Sequence, residues 1–232
     1  MAACPGPGAA LGEQVIAADC PGCWAGHPSA AAARDPSAAA ARGWQLDWIT
    51  PAGDHAPLAA AALPEAADRL QRAALPAATA SAAQAQAQVQ VQVQVQVQVQ
   101  VQVQVQVQRR AGLPARPGLS LRVAAGPAWQ GYFGLQLSLL PTPRPAWPAG
   151  TTAWLALVET LPAGSEGNAA PRALVRSVAG PLPLDAAQPG QRLTHLRALR
   201  WPESAKPERL QARAWLEAPD GQVLAMAADR CP

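Results

Sequence analysis

Residues 83–108 are three Ala-Gln dipeptides followed by ten Val-Gln dipeptides. In an extended chain, period-2 alternation puts every Val on one face and every Gln on the other. Val has high strand propensity, so local preference is for β structure. A single straight strand of this length would span roughly 85 Å, several times an ordinary strand. No small domain covers such a Val face with its own core. The tract is therefore a bent hairpin, a protrusion or disorder. Identical dipeptides specify no register, because a two-residue slip changes nothing. The Val face and uncharged Gln face also match a cross-β hazard. The simplest account is an expanded repeat inserted where the fold tolerates it, with Arg109 and Arg110 as charged gatekeepers at its end.

The tract divides the chain into four segments: a flexible N-terminus (1–12), an α/β portion (13–80), the Ala-Gln/Val-Gln tract (81–110) and a β-sandwich (111–232). In the α/β portion, 13–18 and 44–49 read as strands, the second with Trp44, Leu46 and Trp48 on one face. Residues 35–43 carry helix start and stop signals, and Pro64-Glu65 opens a helix through about Ala74. Strand alternating with helix indicates an α/β unit. After the tract, short strands are predicted over 118–124, 131–140, 152–159, 192–200, 210–217 and 222–227. Phe133, Leu135, Leu137 and Leu139 share a face. Asp220-Gly221 predicts a type I′ hairpin turn. Short half-polar strands between Pro/Gly-rich turns read as a β-sandwich.

Composition excludes some classes. Of the 232 residues, 50% are hydrophobic, yet 56 are Ala, so the larger side chains, eight Trp among them, must supply the core. Net charge is +3, and the cations are scattered Arg with a single Lys206. A nucleic-acid binder clusters its charge, so no nucleic-acid partner is expected. No apolar run reaches about 18 residues, so no transmembrane helix is expected. The N-terminus lacks the basic start and apolar run of a signal peptide. Met1-Ala2-Ala3-Cys4 resembles the end of a bacterial lipoprotein signal. A lipid anchor at Cys4 requires a true start upstream; otherwise Cys4 is incidental in a frayed terminus.

Asp19-Cys20-Pro21-Gly22-Cys23-Trp24 directly follows the first strand. Two intervening residues let both sulfurs reach disulfide distance across one tight turn. If a helix starts there, its free N–H groups stabilise a Cys20 thiolate, and Pro21 suits the first turn. Cys20 would attack a substrate disulfide and Cys23 resolve the mixed disulfide. Three alternatives stay open: a structural disulfide, a relic pair, and a metal site with His27. Zinc wants four ligands, and Cys4 and Cys231 lie at opposite termini.

These residues resemble the thioredoxin superfamily, and more narrowly an uncharacterised family of exported bacterial thioredoxin-like proteins, a domain of unknown function. The resemblance is carried by VIAADCPGC (15–23), WQLDWITPAGDHAPLAAAALPEAADRLQRA (44–73), GSEGNAAPRALVRSVAGPL (164–182) and RLQARAWLEAPDGQVLAMA (209–227). It implies a thioredoxin-like α/β domain followed by a β-domain and a periplasmic location, and no established substrate; a disulfide-containing protein is the partner expected of the Cys pair itself. Such proteins carry a cis-Pro beside the Cys pair, for which Pro76 is the candidate.

Other residues have plainer readings. Asp47, between Leu46 and Trp48, is either a buried acid that assists proton transfer or, more simply, the solvent-facing alternate of a strand. His27, before Pro28, reads as a surface turn residue. His195 lies among Arg192, Arg197 and Arg200 on a solvated basic strand. Trp24, Trp44, Trp48 and Trp154 read as core fillers. No phosphate loop, Ser-His-Asp set or carboxylate pair stands out, and no cofactor is expected. The functional expectation is thiol–disulfide oxidoreductase activity through Cys20 and Cys23. The alternative is a non-enzymatic envelope or binding protein with a structural disulfide.

Overall fold

The computed structural model describes residues 10–26, 43–74, 105–110, 120–140, 147–184 and 191–230. Ten strands occur among them: β1 (Ala10–Ala17), β2 (Gly43–Thr50), β3 (Val105–Arg110), β4 (Ser120–Trp129), β5 (Tyr132–Leu140), β6 (Thr152–Leu161), β7 (Arg172–Pro183), β8 (Leu193–Arg200), β9 (Leu210–Glu217) and β10 (Val223–Ala228). The α-helices are α1 (Pro21–Ala25) and α2 (Pro64–Ala74). Seven strands form one sheet in the order β10-β9-β6-β7-β2-β1-β3, and β4-β5-β8 form a second.

This overturns the expected α/β thioredoxin-like fold with a separate sandwich. The protein is mostly β, in two sheets. β1 and β2 do run parallel, with Gln14 opposite Asp47. They are not, however, the centre of a helix-covered parallel sheet. β2 joins the antiparallel β6–β7 pair through Asp47 opposite Leu174, so strands from both ends of the chain share one sheet. The expected helix at 35–43 falls almost wholly outside the described residues, as does the tract up to residue 104. The tract's last residues and both Arg form β3, the edge strand, paired antiparallel with β1 from Ile16↔Val105 to Leu11↔Arg110.

Alternation sorts each strand's residues between two faces. On one face of the large sheet Leu155, Leu157, Ala212, Ala214 and Leu216 pack against Leu121, Val123, Phe133, Leu135, Leu137 and Leu139 of the small sheet. On the other face Leu46, Trp48, Trp154, Val175 and Trp215 lie together with Ala66 of α2. α2 starts on Pro64 with Glu65 in its first turn and Arg72 in its last, which suits the helix dipole. Its Arg69 is buried, 2.7 Å from Glu13 and 2.8 Å from Glu217, with the guanidinium 4.6 Å over Trp154. Trp154 stacks on Trp215 at 6.0 Å.

The hairpin turns differ from expectation. Among the described residues, Asp220 does not have positive φ, whereas Gly221 does at +82°. Gly221 N–H donates to Ala218 O and Ala218 N–H to Gln222 O, both at 2.9 Å. The β9–β10 loop is thus three residues closed by a glycine in the left-handed region, not the two-residue type I′ turn. The two-residue turn with both φ positive occurs instead at Gln130-Gly131, between β4 and β5.

Candidate functional site

The end of β1 leads straight into the Cys-x-x-Cys segment. Ala18 N–H donates to Thr50 O of β2, and Cys20 N–H turns back to Ala17 O, each at 3.0 Å. Cys20 is the N-cap of α1 and Pro21 its first residue. Proline fits there because that N–H has no helical partner. Cys23 and Trp24 N–H both donate to Cys20 O, at 3.1 and 3.2 Å. This single turn holds the Cα atoms 5.3 Å apart, and the sulfurs form a Cys20–Cys23 disulfide. Pro21 and Gly22 are exposed, Cys23 is half-buried, and Cys20 retains only 8% exposure.

Beneath the disulfide, Trp24 packs with Ile16, Ala18, Ile49, Leu161 and Leu174. Its indole N–H donates to Glu166 O at 2.8 Å. Glu166 sits in the β6–β7 loop, which also donates Ala169 N–H to Ala25 O at 3.2 Å. At φ +50°, Glu166 adopts the left-handed region, and Gly164 and Gly167 flank it at +79° and +76°. The loop doubles back on itself and presents backbone to α1.

The other end of α1 is held by Arg172. Its Nη2 donates to Trp24 O at 2.7 Å and Gly26 O at 2.6 Å. Its Nη1 faces Asp47 Oδ1 and Gln14 Oε1, each at 3.3 Å. Asp47 Oδ2 accepts Ala173 N–H at 3.0 Å. Asp47 is 1% exposed, so the solvent-facing reading of this residue is corrected. Alternation still holds: Leu46 and Trp48 face α2, while Asp47 faces the opposite side with Ile49, over α1. Burial raises the Asp47 pKa above the usual carboxylate value, against the opposing pull of Arg172. Four residues along β7 from Arg172, Arg176 binds Glu159 at 2.7 Å and Glu166 at 3.1 Å, so the loop is tied to the same face by charge.

The structure brings Cys20 and Cys23 together and places Asp47 next to Arg172. His195 lies on β8 in the other sheet. His27, Cys4, Cys231 and Pro76 lie outside the described residues. Arg172, Arg176 and Glu166 were missed. A signal existed: Arg172 and Arg176 are in phase with Leu174, on a strand face that is otherwise apolar. Charges in phase with a buried face announce buried ion pairs.

Fold and site together define a two-sheet β protein with a Cys-x-x-Cys disulfide where a parallel strand enters a one-turn helix. Among solved structures the chain is similar to HBP35 of Porphyromonas gingivalis, with a TM-score of 0.55 and 7% identity, over 97% of this chain and 75% of that one. At that identity the likeness concerns fold alone. No family model matches the chain, and no curated protein does. The resemblance to exported thioredoxin-like proteins is therefore corrected: no family supports it, and the architecture is β-rich.

Proposed function

We propose that the chain takes part in thiol–disulfide exchange through Cys20 and Cys23, on a β scaffold, with dithiol or disulfide proteins as partners. One observation carries the proposal: the disulfide spans two exposed residues at the end of a buried strand, with Cys23 open to solvent in part. As a staple it is weak. By loop-closure entropy a ring of four residues contributes about 2 kcal/mol, against about 4.7 for a hundred-residue loop. Exposure favours Cys23 as the sulfur that meets a partner, the reverse of the order read from the sequence. A partner thiolate attacks Cys23 Sγ, the Cys20–Cys23 bond breaks, and Cys20 leaves with the electron pair at the start of α1. A second partner thiol then attacks the mixed disulfide and releases Cys23, which takes a proton. The partner ends oxidised and the pair reduced; reduction of a partner is the reverse. As part of the same proposal the protein works outside the cytosol, where an oxidising compartment keeps a resting disulfide closed.

The 8% exposure of Cys20 favours a second reading, a structural disulfide in a non-enzymatic binding protein. Insulin reduction by the dithiol form, together with mixed-disulfide trapping, separates the two. Exchange requires turnover in the wild type, its loss in Cys20→Ser, and a trapped adduct through Cys23 in that variant. No turnover, and a bond reduced only on unfolding, would sink it in favour of the structural reading.

A further inference from the structure

We infer that Arg172, held by Asp47, is a positioning residue that sets the dithiol–disulfide equilibrium of Cys20 and Cys23. The inference rests on the exchange reading above and adds what governs it. A helix of five residues does not persist alone, because its nucleus costs more than its few hydrogen bonds return. The shape of α1 is therefore imposed from outside. At its first turn the imposition is the disulfide. At its last turn it is the Arg172 guanidinium, which takes the Trp24 and Gly26 carbonyls on one nitrogen at 2.7 and 2.6 Å. Those carbonyls are among the groups a helix end leaves without helical partners, and a cation there also complements the dipole.

The clamp is itself fixed. The Arg172 side chain is fully buried and lies 3.3 Å from Asp47, whose other oxygen holds Ala173 N–H, the next residue of β7. Asp47 thus binds both the guanidinium and the backbone beside it. The guanidinium carbon is also 5.1 Å from the Trp24 ring centre. When the disulfide opens, the first constraint on α1 disappears; the hydrogen bonds of Trp24 and Ala25 to the β6–β7 loop stay, and so does this clamp on the last turn. It then decides how close the two thiols stay, and hence their effective concentration toward each other.

The test is equilibration of the full chain with glutathione redox buffers, followed by acid quench and thiol labelling of Cys20 and Cys23. Arg172→Lys keeps a charge but cannot span two carbonyls and a carboxylate; Arg172→Met removes the charge as well. Both should lower the equilibrium constant for closing the disulfide about tenfold, which corresponds to a potential about 30 mV more oxidising. Asp47→Asn keeps an acceptor and should shift it in the same direction by less. Leu137→Ala, in the core of the other sheet, lowers overall stability and should leave the constant unchanged. A change under threefold in Arg172→Lys, or an equal shift in Leu137→Ala, would overturn the inference. Arg172→Lys serves alone if Arg172→Met does not fold. No protein substrate enters this measurement. Failure of insulin reduction with the shift present therefore counts against exchange and not against the clamp, and turnover without the shift does the opposite.

Discussion

Replacing Arg69 by Met tests how α2 is held on the large sheet. The guanidinium has 2% side-chain exposure and meets Glu13 through two hydrogen bonds, at 2.7 and 2.9 Å. It also lies 2.8 Å from Glu217 and over the rings of Trp154 and Trp215, at 4.6 and 5.3 Å. Burial by itself pulls the Arg69 pKa down, but Glu13 and then Glu217 outweigh it and raise it. Removing the cation takes from Glu13, itself 2% exposed on its side chain, the buried guanidinium that pairs with it at 2.7 Å. Breaking one side of a buried pair costs about 3–5 kcal/mol, most of it the stranded charge. Loss of the desolvated ring contact, worth about 2 kcal/mol, overlaps with that figure and is not added to it. For a chain of this size the cost corresponds to a fall in Tm of roughly 6–20 °C. Urea unfolding followed by Trp fluorescence reads it directly, since two of the affected rings are reporters. The same charge balance fixes a sign for the double variant. Arg69→Met with Glu13→Gln should recover at least about 1 kcal/mol over Arg69→Met alone, because the stranded charge is gone. A single variant within about 1 kcal/mol of wild type, or a double variant no better than the single, would refute it.

Gly180→Ala should destabilise by about 1–3 kcal/mol. A Cβ there would lie 2.4 Å from Trp154 Cε3, and that ring is packed against both Arg69 and Trp215. Gly12→Ala meets a Gln45 side-chain oxygen at the same 2.4 Å, but the amide swings away. Its unfolding free energy from urea titration should therefore stay within about 0.5 kcal/mol of wild type. Burial, then Arg197, lowers the His195 pKa below its ordinary value, while a hydrogen bond to the Pro183 backbone works the other way. The unfolded chain thus binds this proton more readily, so the contribution is complete above pH 6.5 and is lost as pH falls through the folded pKa. Stability measured from pH 7.5 to 5 should decline less in His195→Gln than in wild type; an identical slope contradicts the assignment.

Much of the local structure could be read from residue pattern. The alternation of Phe133, Leu135, Leu137 and Leu139 placed all four inside. Pro64-Glu65 marked a helix start that the structure shares. Cys-x-x-Cys spacing alone brought two sulfurs within bonding reach. Turn type was less legible: Asp-Gly suggested a two-residue turn, yet Pro219 at the first corner favours the three-residue form. The candidate site was half legible, since the cysteines announced themselves and Arg172 did not.

Sequence by itself determined which residues of a strand share a face, because that depends only on a period of two. It also determined that a Val-Gln repeat carries no register information of its own. Only the tertiary structure decided which strands lie side by side: a parallel pair that looked like the start of an α/β fold was annexed to an antiparallel sheet through Asp47 and Leu174. The same step decided that Asp47 and Arg172, 125 residues apart, are buried together. A charge enters a protein interior only when its partner arrives with it, and periodicity within one strand carries no information about a partner so distant.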